Sequence, residues 1–428
     1  MHLIKRISNL DRRILLAIIP ALSLSLLIFI TISPISGSRF TSLSTLSSLK
    51  SLLHNNNAET SPSSNSSSPE AEAAVSILAR SRIAVCLVGG ARRFELSGPS
   101  IVQNILEVYP NADLFLHSPL DSNSFKFSLL KTAPRLASVR IFSPQPLPQD
   151  EAQVRVLTAA NSPNGIQGLL QYFNLVEGCL SMIKSYQQTR NFTYDWIVRS
   201  RVDGYWSLPL SPDLFIPGKY MVPPGSSYGG LNDRLGIGDF NSSVVALSRL
   251  SLIPKLDATG HRNLNSERSF LFQLVTQNVS YVSKRAPFCI VSDRKYSFPP
   301  GRYGVPVAAM SSIGPLSGAK CRPCKAACEG KCVERVMAGL DKGWSWTEWA
   351  NGTLNMCDAH GEWESGWEKM FDKAAGKRLA KSRKMVGKIG MKECVKEFEE
   401  MRRKVTGEWA APPVEDICRL GLDNKKAS

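Results

Sequence analysis

From residue 82 onward the hydrophobic and polar positions alternate between two periods. "RIAVCLVGG" (82–90) is a continuous apolar run ending in two glycines, which predicts a parallel strand buried on both faces. "GPSIVQNILEVY" (98–109) has helical apolar spacing with a proline near its start. "ADLFLHS" (112–118) and "SVRIF" (138–142) predict two further strands, and 164–188 a long amphipathic helix. "YDWIVRSRVDGYW" (194–206) predicts a fourth strand and "GKYMVPPG" (218–225) a fifth. Residues 242–253 and 266–278 have helical spacing, and 279–291 predicts a last strand. Strands alternating with helices predict an α/β fold with a Rossmann-type, mainly parallel sheet flanked by helices.

The fourth strand turns charged near its end. With period two, Arg199, Arg201 and Asp203 share a face with Ile197 and Tyr205. Charge at the carboxyl end of an otherwise buried strand predicts the lip of a ligand crevice.

The first eighty residues break this pattern. After Lys5, Arg6, Arg12 and Arg13 comes the apolar run Ile14 to Ser33, with no charge until Arg39. Its length matches a bilayer, and the basic flank puts the N-terminus in the cytosol. This predicts a tail (1–13), a single-pass anchor of type II orientation (14–36), and a disordered Ser-rich stem (37–80). A cleaved signal peptide competes, with "SPISGS" as a poor cleavage site. Five glycosylation sequons, at Asn65, Asn191, Asn241, Asn278 and Asn351, all fall beyond the anchor.

Much of the formal charge of +16 lies in the last sixty residues. Trp367, Met370, Phe371, Leu379, Val386, Ile389, Val395, Phe398 and Met401 are spaced as the buried side of one or two helices there, leaving the basic residues as a solvated face. No nucleic-acid recognition motif accompanies the charge, and the anchor argues against a nucleic-acid partner.

Ten cysteines are unevenly placed. Cys86 and Cys179, inside apolar runs, read as small buried hydrophobes. Cys289, Cys321, Cys324, Cys328, Cys332, Cys357, Cys394 and Cys418 gather late; their spacing lacks matched zinc knuckles and predicts disulfides in an oxidising compartment. With Trp344, Trp346, Trp349, Trp363 and Trp367 they suggest that 301–428 is a small stapled helical appendage to a domain over 81–300.

Four pieces carry a resemblance. "IAVCLVGGARRF", "ADLFLHS", "IVRSRVDGYW" and "LNDRLGIGDF", in that order across about 83–240, are similar to the motifs of GT-A-fold nucleotide-sugar glycosyltransferases. The chain looks most like the WavE-type families and plant glycosyltransferase-like membrane proteins, and "NSERSF" extends the likeness to about 291. The resemblance implies a Golgi-membrane enzyme moving a sugar from a nucleotide sugar to a glycan or glycoprotein acceptor.

It also implies roles. Asp203 would hold a divalent cation (Mn²⁺ or Mg²⁺) against the donor diphosphate, since such ions take one or two protein carboxylates plus phosphates. Arg199 and Arg201 would neutralise the leaving diphosphate, and Arg92 and Arg93 would meet the nucleotide or its phosphates. Asp233, Asp239 and Glu267 are the carboxylates able to take the acceptor proton. An ion pair between the arginines and Asp203 that merely closes the sheet is the competing reading. Many metal-dependent relatives carry Asp-x-Asp, whereas this chain has Arg201-Val202-Asp203. His117, His261 and His360 are further candidate ligands. The lone carboxylate favours a second functional class, a non-catalytic glycan-binding or scaffolding membrane protein.

Overall fold

The computed structural model describes residues 69–160, 162, 164–296, 305–340 and 354–426. The chain divides into Met1–Ser66 and Ser67–Ser428, and the description concerns the second unit. The expected tail, anchor and most of the stem lie outside the described residues, as do Asn65, Asn351, Trp344, Trp346 and Trp349. No helix among the described residues is long and apolar enough to cross a membrane. The end of the expected stem is ordered: Pro69–Arg80 is a helix whose Leu78 enters the core.

Twelve strands occur among the described residues. They are β1 (Ile83–Val88), β2 (Ala112–Pro119), β3 (Leu136–Phe142), β4 (Trp196–Arg201), β5 (Gly204–Trp206), β6 (Tyr220–Val222), β7 (Leu235–Asp239), β8 (Tyr281–Ser283), β9 (Phe288–Val291), β10 (Ala308–Ala309), β11 (Ala319–Arg322) and β12 (Trp409–Ala410). Eight form one sheet in the order β12-β3-β2-β1-β4-β7-β6-β8; the other four form a second, β10-β11-β9-β5. From β12 to β4 the pairing is parallel, and β7 runs antiparallel to both its neighbours.

The expected mixed α/β architecture with a mostly parallel central sheet is therefore present. Its centre follows from the apolar runs: Ile83, Val85 and Leu87 of β1 face one core, while Ala84, Cys86 and Val88 face the other. The first core takes Phe94, Ile101, Phe125, Phe398 and Met401; the second takes Val176, Ile183 and Tyr186 from the long helix Gly165–Arg190. Both faces are covered, as parallel strands require.

Several expected elements differ. The stretch 194–206 is two strands, because at Asp203 the backbone hands its pairing from one sheet to the other. Val202 N–H donates to Val88 O in β1 (3.0 Å), while Asp203 O accepts from Val291 N–H in β9 (2.9 Å). Tyr205 accordingly packs in the core around the small sheet, away from Ile197. The stretch 279–291 divides likewise into β8 and β9. Residues 242–253 fall into the helices Phe240–Leu247 and Ile253–Ala258.

"LGIGD", within the fourth of the resembling motifs, is the antiparallel strand β7. Its glycines leave room for Tyr220: a Cβ on Gly238 would stand 2.6 Å from the Tyr220 ring.

Cys86 and Cys179 are not free hydrophobes. The helix on the β1 face brings their Cα atoms within 6.2 Å, and they form a disulfide. The others pair as Cys289–Cys321, Cys324–Cys357, Cys328–Cys332 and Cys394–Cys418.

The C-terminal region is no appendage. β12 extends the large sheet beyond β3, and β10 and β11 complete the small sheet begun by β5 and β9. The helix Met391–Lys404 packs Cys394, Phe398 and Met401 into the first core. Lys131 bridges to Glu397 and Glu400, and Arg140 to Glu408, across the same contact.

Candidate functional site

Strand order reverses at β1, whose neighbours are β2 on one side and β4 on the other. Such a switch point opens a crevice beyond the carboxyl ends of the strands. Val88 and Arg201, the last residues of β1 and β4, are in register. Beyond β1 the chain turns sharply through Gly89 (φ 121°) to Arg92, which holds φ 39°, a conformation few non-glycine residues adopt. The reversal of strand order and the turn place Arg92, Arg201 and Asp203 together.

Asp203 is 2% exposed and bonded through both oxygens. Arg201 grips it with a fork, Nε to Oδ1 at 2.8 Å and Nη2 to Oδ2 at 2.7 Å, and Arg92 Nη1 reaches Oδ2 at 3.1 Å. Burial alone would raise the carboxyl's pKa, but Arg201 and then Arg92 hold it well below the usual carboxylate range.

Two residues of this cluster were not anticipated. Lys320 arrives on β11, and Arg234 from the segment before β7. Arg234 Nη1 donates to Ser226 Oγ (2.7 Å) and to the carbonyl of Gly318 (2.6 Å), two residues before Lys320. Lys320 keeps some accessible surface, yet its ammonium is densely enclosed. Burial pushes that ammonium well below its ordinary range; Arg234, Arg201 and Arg92 push it further, with only Asp203 opposing. The sequence offered no signal for Lys320, which stands in the Cys-rich run 117 residues beyond Asp203.

A second group lies beside the first. Asp233 is buried: Ser266 Oγ donates to its carboxylate (2.7 Å) and Arg249 lies at 3.6 Å. Its carbonyl accepts from Tyr172 (3.0 Å) and from Arg199. Asp233 therefore anchors the interior; its ionic partner is Arg249 rather than the adjacent Arg234. Burial opposes its charge, but Arg249 and Arg199 keep its pKa lowered. Glu267 follows the N-cap Asn265 of the helix Ser266–Thr276. Burial, joined by repulsion from Asp233, lifts its carboxyl to about 8, while Arg234 and Arg249 act within range to lower it. Asp233 and Glu267 thus sit in opposite protonation regimes, the pattern that separates acid from base roles.

The remaining candidates are elsewhere. Asp239 lies at the end of antiparallel β7, opposite Trp196 at the start of β4, and so at the far end of the sheet from Asp203. It caps the helix Phe240–Leu247 by accepting from Ser242 N–H (2.8 Å). Arg93 stacks on Trp363, 4.3 Å from the ring centroid, and pairs with Glu95 and Asp293. Arg199 is fully buried and holds the Asp233 carbonyl. His117 bonds the Leu175 carbonyl, and burial lowers its ring to about 4. His261 stacks on Phe272, and His360 pairs with Asp358.

A divalent cation does not fit this arrangement. Both oxygens of Asp203 are occupied by guanidiniums, and the surrounding side chains are the guanidiniums of Arg92, Arg201 and Arg234 and the amine of Lys320. No group of three or more His, Cys, Asp or Glu able to hold a metal ion occurs among the described residues. The cluster carries surplus positive charge and suits an anion.

A family model described as "Domain of unknown function (DUF7796)" matches residues 78–424. The chain belongs to that family. The DUF7796 match runs through β11 and β12, so the segment carrying Lys320 falls inside the family's span. No curated protein matches. Among solved structures this DUF7796 chain is similar to apo mouse xyloside xylosyltransferase 1. Identity is 12% and the TM-score 0.30, over 48% of this chain and 85% of that one.

Proposed function

We propose that the protein is a nucleotide-sugar glycosyltransferase of the GT-A type, binding the donor diphosphate in the crevice at the ends of β1 and β4. One observation carries this reading: Arg92, Arg201 and Lys320 converge on a single carboxylate at the switch point of the sheet, with Arg234 beside Lys320. Prepositioned cations in a water-poor site stabilise charge that develops on a leaving diphosphate.

The transfer balances as follows. The bond from the donor's anomeric carbon to its phosphate oxygen breaks, and that carbon bonds the acceptor hydroxyl oxygen. The hydroxyl proton passes to ionised Glu267, whose pKa near 8 suits a base working close to neutrality. The reading places the domain in the Golgi lumen, held by residues 14–36. Exposed Asn191, Asn241 and Asn278 and the five disulfides support an oxidising, glycosylating compartment.

The test is the thermal midpoint of the full chain, disulfides intact, against a panel of nucleotide sugars, followed by turnover with any donor that raises it. A ligand binding only the folded state raises the midpoint by mass action. A shift with sugar release to acceptor supports the proposal. A shift without turnover would favour the non-catalytic scaffold, and no shift from any donor would sink the reading.

A further inference from the structure

Resting on that reading of the crevice, we propose that the diphosphate is bound without a divalent cation. Lys320 and Arg201 take its charge, and Asp203 serves as the counter-ion that positions Arg92 and Arg201. Three observations converge.

Asp203 makes three bonds to two guanidiniums, with Arg201 bidentate, so ligating a cation would require releasing the fork. A dication entering here would meet Arg92, Arg201, Arg234 and Lys320, whereas a diphosphate would meet charges of opposite sign. The Lys320 side chain makes no hydrogen bond or ion pair within 4 Å among the described residues, although its ammonium is almost wholly enclosed. Of its charged neighbours, only Asp203 favours its positive form. An enclosed ammonium among guanidiniums is unfavourable in the free protein, and a phosphate oxygen supplies the partner it lacks.

Placement supports the assignment. The residue after Lys320 is Cys321, bonded to Cys289 of the neighbouring strand β9, and β9 pairs with β5 directly beyond Asp203. The small sheet therefore holds Lys320 against the end of the large one. Arg92 is 45% exposed and Arg201 23%, so the cluster opens to solvent on the Arg92 side while Asp203 stays enclosed.

The experiment is calorimetric titration of the full-length protein with pyrophosphate, UDP and GDP, in EDTA and again in Mn²⁺. Wild type, Lys320→Ala and Lys320→Arg are compared. Binding in EDTA is expected, little changed by Mn²⁺. Lys320→Ala should weaken it about ten- to a hundredfold, the range for losing a charge-assisted bond, and Lys320→Arg should retain most of it.

Because Lys320 is unpaired, Lys320→Ala should melt no lower than wild type without ligand, which separates lost binding from lost folding. Binding that requires Mn²⁺ would overturn the cation-free inference and leave the crevice reading standing. Equal binding by Lys320→Ala in EDTA would overturn the role of Lys320. No binding under either condition would remove the crevice reading and the inference with it.

Discussion

Asp203 and Glu267 are both enclosed carboxyl groups, and their surroundings set them to opposite tasks. Asp203 compensates two guanidiniums at 2% exposure, so Asp203→Ala strands buried charge and should cost about 3–5 kcal/mol of stability in denaturant unfolding. Loss of activity in that variant would then report misfolding as readily as a lost ligand. Lys320→Ala is the sharper probe for that reason.

Glu267 has a folded-state pKa raised from 4.5 to about 8. Its neutral form is favoured by folding, so its contribution is complete below about pH 4.5 and lost as pH rises toward 8. Glu267→Gln should therefore gain on wild type across that window, reaching about 1–3 kcal/mol above pH 8. Urea melts at pH 5 and pH 8.5 would show it, and equal gaps at both would refute it. If Glu267 is the base, wild-type kcat/KM should climb with pH to about 8 and the Gln variant should be inactive.

Among the elements, the loop "YGGLNDR" is held to the helix Ser266–Thr276 more tightly than its glycines suggest. Leu231 N–H donates to Glu267 O at 3.1 Å, and a Cβ on Gly230 would fall 2.0 Å from that same carbonyl oxygen. Neither backbone can yield without moving Glu267. Gly230→Ala is thus expected to cost about 1–3 kcal/mol and to displace the pH profile of any turnover. An unchanged melt would show that the loop has slack.

The legibility of elements follows the same physics. β1, β2, β3 and the long helix could be read because their apolar runs are continuous or periodic. β7 could not, since Gly236 and Gly238 surrender their side chains to make room for Tyr220. The break at Asp203 was hidden because β4 and β5 follow one another in a single extended stretch, and only the change of partner divides them. The crevice was half legible: Arg92, Arg201 and Asp203 lie on predicted strand ends, but Lys320 joins them through the small sheet, whose pairing no local pattern encodes.

For the molecule as a whole, the region beyond 300 decides whether the sheets are finished. Stopping the chain there would remove β10, β11, β12 and Lys320, leaving the edges of β3 and β9 bare. Exposed parallel edges invite association, so such a fragment should elute as aggregate in size-exclusion chromatography while the full chain does not. A monomeric, folded fragment would contradict the integrated architecture. Replacing Cys394 and Cys418 together by serine should cost about 2–4 kcal/mol, read from the unfolding midpoint.

The covering of β3 by β12 also has a consequence in time. A ribosome releases β3 by residue 142 and β12 only after residue 409, roughly 270 residues later. At about 5–20 residues per second, that interval is on the order of 15–50 s. Throughout it the nascent sheet must wait with one edge open, so this chain's need for a folding chaperone should be greatest just before β12 emerges.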